Sequence, residues 1–222
     1  MRILNMMKKI FGHAEYIDTI ADNFSNKDIP NGYAGGSLSA KNVLVVTNTE
    51  ITSDEMDEVF RKEQCCCSLL NIDRIMNVSD ITEAAKDLIG PFTHVINVFH
   101  DKGERPLLVK NHFNDNDCVY QLYQWLQEEV DYLVKLNQYA TVCTVFISES
   151  SIDSNVKKKN VEMCIRGLAE VLSNHRMICN GIIANKEISI NELLTTTVYL
   201  SSRYGQIMTG EVLKLNLSFG KF

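Results

Sequence analysis

The residues best equipped for chemistry gather in one stretch, "SESSIDSNVKKKNVEM", which holds Ser148, Ser150, Ser154 and Lys158. Ser154 and Lys158 are four residues apart, so on a helix their side chains share a face. A cation beside a hydroxyl favours its ionisation and so invites proton transfer. An alkyl hydroxyl, however, has a pKa far above that of a phenol and cannot act as a general acid near neutrality. Hydrolysis through a serine nucleophile has little support either, because no Gly-x-Ser-x-Gly elbow is present. His94, His100 and His112 with Asp101, Asp115 and Asp117 supply metal-ligand side chains, but at spacings that fit no recognised ligand pattern, and no metal is expected. Cys65, Cys66 and Cys67 look like a ligand set only at first sight. Consecutive strand residues point to opposite faces and cannot readily share a tetrahedral ion, so buried small hydrophobes are expected. Seven cysteines without a C-x-x-C pair suggest reduced thiols and a cytoplasmic setting.

Those side chains need a scaffold, and the chain has the length for one. Its 222 residues are 45% hydrophobic and 23% charged, values of an ordinary globular domain. The net charge of -6 argues against a nucleic-acid partner, and the short basic run Lys157–Lys159 reads as a solvated helix start. No apolar run is long enough to span a membrane, and "MRILNMMKKIFGH" has no continuous apolar core of a signal peptide.

From Asn42 onward, short apolar runs alternate with amphipathic segments. "NVLVVTN", "THVINVF", "TVCTVFIS", "RMICNGIIA" and "EVLKLNL" read as strands. "SDEMDEVFRKEQ", "EAAKDLIGPF", 119–139, the segment following Ser154 and 192–203 read as helices. Buried strands alternating with helices predict an α/β fold, a Rossmann-like doubly wound parallel sheet with helices on both faces. Residues 1–40 differ: Ile3, Met7, Ile10, Ala14, Ile17, Ala21 and Phe24 form an a/d seam, followed by a turn-rich linker. The expected organisation is therefore an N-terminal helical extension and linker over 1–40 and a Rossmann-like domain over 41–222.

Three stretches go beyond periodicity. "KKNVEMCIRGLAEVLSNHRMICNGIIAN", "VYLSSRYGQIMTGEVLKLNLSFG" and "FTHVINVFH" resemble the active-site helix, the C-terminal signature and the Asn-Asn-Ala-Gly strand of the short-chain dehydrogenase/reductase family. The branch they most resemble is the 3-oxoacyl-acyl-carrier-protein reductases. That family holds NAD(P) over a Gly-x-x-x-Gly-x-Gly turn and uses a tyrosine, a lysine and a serine to move the substrate proton.

Carried over residue by residue, the resemblance implies a degenerate member. The glycine turn is matched by Thr47, Asn48, Thr49 and Glu50, without one glycine, and Glu50, Asp54 and Glu55 bring negative charge where phosphates would sit. Asn77 stands for the adenine-side Asp, and Asn97 alone survives of Asn-Asn-Ala-Gly, with Phe99 and His100 adding bulk towards the cofactor. Lys158 matches the lysine, Ser154 replaces the tyrosine, and Ser148 or Ser150 stands for the serine. The helix asparagine of the family's proton relay falls near Gln121.

The expected function is thus a catalytically inactive protein, a partner or scaffold subunit that binds no cofactor. It would assemble with itself or with an intact reductase homologue through Trp125 and Tyr132, taken as an outward stripe rather than the alternative of a wide core face, together with Met163 and Gly167. The alternative is a divergent NADPH-dependent 3-oxoacyl-thioester reductase. A third possibility is a small-molecule binding module with a cleft at the strand ends.

Overall fold

The computed structural model describes residues 37–71, 91–101, 118–136, 138–149, 152–202, 205 and 208–215. The expectations for the N-terminal seam, the "EAAKDLIGPF" helix, Asn77, His112, Asp115, Asp117, Ser150 and the Gln121 side chain lie outside the described residues and side chains.

Six strands form one sheet: β1 (Asn42–Thr47), β2 (Cys66–Asn71), β3 (His94–Asp101), β4 (Thr141–Ser148), β5 (Ile178–Asn185) and β6 (Val212–Leu215). Their order is β2-β1-β3-β4-β5-β6, and every pair is parallel. All eight residues of β4 are buried, as expected of a strand covered on both sides. Among the described residues, the α-helices are α1 (Ser53–Phe60), α2 (Cys118–Leu136), α3 (Ile152–Ser173) and α4 (Ile190–Ser201). Alternate residues of each strand enter two separate apolar clusters. Leu44, Val95, Phe99, Val142 and Phe146 pack with α2 and α3. Val43, Val45, Ile96, Val98 and Val145 pack with α1 and α4. The sheet is doubly wound, with helices on both faces.

Local chemistry sets the elements. The α4 N-terminus is capped by Ser189, whose hydroxyl accepts from the Glu192 amide. Gly181 lets α3 approach β5: a Cβ there would lie 2.4 Å from Ile165 Cδ1 and 3.2 Å from the Thr144 carbonyl oxygen. Glu162 on α3 meets Lys214 of β6 at 3.0 Å, as well as Lys159 and Arg166 of its own helix. The Lys214 hydrogen bond is the main reason its carboxyl sits below the usual range. This ties α3 to the sheet edge.

Helix α2 corrects one expectation. Trp125 is not on an outward stripe; it is 1% exposed and belongs to the core beneath α2. Tyr132 is half-buried against the same core, its ring stacked on Phe92 with centroids 4.5 Å apart. The cause is the breadth of the apolar arc. Leu122, Trp125, Leu126, Glu129, Val130 and Leu133 recur at helical spacing, and all are buried. Two stripes on paper are one face in space. On α3, by contrast, Met163 is 63% exposed, and Gly167 is exposed with nothing within 4 Å of where a Cβ would stand.

Candidate functional site

In an open parallel sheet, ligands bind outside the carboxyl ends of the strands, where the strand order reverses. Here that point lies between β1 and β3. The residues flagged by sequence are brought to this edge, with exceptions that matter.

At the end of β1, Thr47 Oγ1 accepts from the Thr49 amide at 3.0 Å, closing a tight side-chain turn. Asn48 bridges the two strands. Its Oδ1 accepts from the His100 amide at 2.7 Å, while its Nδ2 donates to the His100 carbonyl at 3.2 Å. The same Nδ2 lies 3.4 Å from Cys118 Sγ at the start of α2. The stretch 47–49 is therefore a laced turn, with the Asn48 side chain and the Thr49 amide engaged within the chain.

The adjoining N-terminus of α1 is closed by a capping box. Thr52 Oγ1 accepts from the Glu55 amide at 3.3 Å, and the Glu55 carboxylate accepts from the Thr52 amide at 2.8 Å. Free N–H groups at such a terminus make an anion site. Here the Glu55 carboxylate engages the Thr52 amide, and Asp54 adds a second acidic residue to the same first turn.

Across the crevice, Ser154 is 4% exposed, and its hydroxyl bonds to Ser148 Oγ at 2.9 Å and to the Glu149 carbonyl. Ser148 is itself fully buried. Lys158 reaches the other way, donating to Asn185 Oδ1 at the end of β5 at 3.1 Å. Ser154 and Lys158 thus share a helix, yet each engages a different strand end. Lys186 and Glu149 pair at 2.7 Å across the exposed rim, which holds the Glu149 carboxyl below its ordinary range.

One polar contact was not foreseen. Lys157 Nζ meets Asp101 Oδ1 at 2.9 Å, both largely buried, joining α3 to the end of β3. The only sequence signals were a basic helix start and an acidic strand end, too far apart in the chain to be linked by spacing.

Two further expectations need correction. Phe99 does not project into the crevice; it is fully buried in the cluster under α2 and α3. Asn97 also leaves the crevice. Its side chain is buried beneath α2, accepting from Trp125 Nε1 at 2.7 Å and donating to Glu129 Oε2 at 2.8 Å. Both residues sit on the same face of β3 as Val95, and the side chains of that face turn towards that helical layer.

No group of three or more His, Cys, Asp or Glu residues able to hold a metal ion occurs among the described residues. His94 and His100 lie at opposite ends of β3, roughly 20 Å apart at strand rise, so they cannot share one ion. All seven cysteines are free, and burial pushes the thiols of Cys65 (to about 12), Cys67, Cys143, Cys164 and Cys179 upward, away from reactivity. No helix among the described residues is long and apolar enough to cross a membrane.

The sheet order, the helices on both faces and the crevice define a Rossmann-like α/β protein. Among solved structures, the chain is similar to a short chain dehydrogenase from Mycobacterium smegmatis, with a TM-score of 0.64 over 87% of this chain and 99% of that one. The two are 13% identical in sequence, so the likeness is one of fold. No protein-family model matches the chain, and no curated protein matches it in sequence.

Proposed function

We propose that this chain is a catalytically inactive relative of the short-chain dehydrogenases that serves as a partner subunit. The observation that carries the reading is the self-capped α1, where the Glu55 carboxylate already engages the Thr52 amide at the helix terminus. A nucleotide phosphate would have to displace that carboxylate and lie beside Asp54 and Glu50, at a cost in like-charge repulsion. The proton-transfer positions support the same conclusion. Ser154 stands where the family has a tyrosine and is buried against Ser148, while Lys158 donates to Asn185. Asn97 serves the core.

The surface for partnership is the outer side of α3. Val156, Met163 and Val171 are large apolar side chains left half-exposed or more, and with Gly167 they fall within one narrow arc of the helix. Gly167 at the centre of that arc lets a neighbouring backbone come close. The partner on this reading is a second copy or an intact reductase homologue. Its test has two arms. Calorimetric titration with NADH and NADPH should show no binding, and micromolar affinity for either would overturn the inactive reading. Light scattering of the protein, alone and with a co-encoded reductase, should show assembly that Met163→Glu abolishes. A monomer indifferent to the reductase would overturn the partner reading.

A further inference from the structure

The most unusual group in the molecule lies away from the crevice. Glu129 is 1% exposed, in the middle of α2, facing the sheet through the apolar cluster under α2 and α3. An isolated carboxylate there would be costly, because ionised groups are buried only when paired. No Lys, Arg or His among the described residues forms an ion pair with it. What it has is one amide donor, Asn97 Nδ2 at 2.8 Å on Oε2, while Oε1 is buried without a hydrogen-bond partner. Asn97 is in turn held by the Trp125 indole N–H. Trp125 and Glu129 are four residues apart on α2, so both ends of the chain of hydrogen bonds belong to the helix and its centre belongs to β3.

Among the described residues, the surroundings offer no compensating charge. From β3 the facing polar group is Asn97. From β4 it is Thr144, the register neighbour of Asn97, whose hydroxyl is also buried and unpartnered. From β5 and α3 the nearby titratable groups are the thiols of Cys179 and Cys164, and the Glu129 charge would raise the Cys179 thiol further. On α2 itself, Glu128 and Asp131 are exposed, on the side away from the core.

We propose that Trp125, Asn97 and Glu129 form a proton-dependent latch that fastens α2 to the sheet, closed while Glu129 is a neutral acid and released when it ionises. Burial pushes the Glu129 carboxyl up to about 8, with the Asn97 side chain and then the Trp125 indole pulling partly back. The sign follows from linkage. Between the ordinary carboxyl range near 4.5 and about 8, the folded protein holds a proton that the unfolded chain has lost. Stability is therefore full below that window, falls as pH rises through it, and its contribution is gone above about 8.

Trp125 is the single tryptophan, so it reports the latch directly. Fluorescence of the full chain, titrated from mildly acidic to alkaline pH below the onset of unfolding, should show a transition near 8 that is absent in Glu129→Gln. Amide exchange in α2, corrected for its intrinsic base catalysis, should accelerate across the same transition in wild type only. Infrared spectra of the wild type at neutral pH should contain a carboxylic-acid carbonyl band that disappears on alkalinisation; this measurement stands even if the variant fails to fold. A wild type with no protonated carboxyl at neutral pH overturns the proposal, as does a fluorescence transition that persists unchanged in Glu129→Gln.

Discussion

Replacing Trp125 by phenylalanine separates a core role from an interface role. The indole is 1% exposed, and its N–H is 2.7 Å from Asn97 Oδ1, which is buried too. Phenylalanine keeps an aromatic ring in the cluster but cannot donate. The acceptor left unpaired in the core costs about 1–3 kcal/mol. The smaller ring adds about 1 kcal/mol for lost contacts and residual cavity. The sum, roughly 2–4 kcal/mol, is a large fraction of the ~5–15 kcal/mol that holds a domain folded. At about 2–4 °C per kcal/mol for a domain of this size, Tm should fall by roughly 5–15 °C. Urea unfolding followed by circular dichroism measures the change. Repeating it in an Asn97→Ala background should recover much of the hydrogen-bond cost, since the acceptor is gone. The oligomeric state should not change. A stability loss below about 0.5 kcal/mol, the range of surface substitutions, would refute the reasoning, particularly if assembly were lost instead.

Other consequences can be tested independently. Thr52→Ala should cost about 1 kcal/mol of stability by urea unfolding through loss of the α1 cap, yet leave NADPH unbound because Glu50, Asp54 and Glu55 remain. Ser154→Tyr should give no turnover with 3-oxoacyl thioesters, and should destabilise by about 1–3 kcal/mol, because a ring must enter a site that is filled by Ser148 and the Glu149 carbonyl. Measurable reductase activity in that variant would show the crevice to be functional. Met163→Glu should leave monomer stability within about 0.5 kcal/mol of wild type while breaking assembly in light scattering. Burial and nearby Lys41 push the His94 imidazole down to about 4. The unfolded chain then binds a proton near 6.5 that the folded protein refuses until about 4, so stability should fall by up to about 3 kcal/mol on acidification across that window. His94→Gln should flatten that slope in urea titrations; an unchanged slope would exclude His94 as its source.

The sheet was legible because runs such as "TVCTVFIS" announce strands buried on both sides, and β4 occupies that run. The capping box was half-legible: acidic residues at the start of α1 were visible, but Thr52 as their partner was not singled out. Trp125 was misread because hydrophobic spacing fixes which residues share a face, not how wide the buried face is. The Asn97–Glu129 bond joins residues 32 positions apart, and a glutamate in a helix reads as solvated unless something places it under a sheet. Lys157 and Asp101, 56 positions apart, illustrate the same limit. Local periodicity carries the scaffold, whereas buried polar contacts depend on which strands the chain brings together.

The reciprocal bond between Thr52 and Glu55 also sets a competition. A carboxylate tethered three residues from the amide it engages acts as a resident ligand at high effective concentration, above the millimolar scale typical of short flexible linkers. A diffusing phosphate must outcompete it at every encounter, and increasing the nucleotide supply shifts that balance only slowly. On the inactive reading proposed above, gaining nucleotide affinity would therefore require removing the tethered competitor before adding any glycine to the turn.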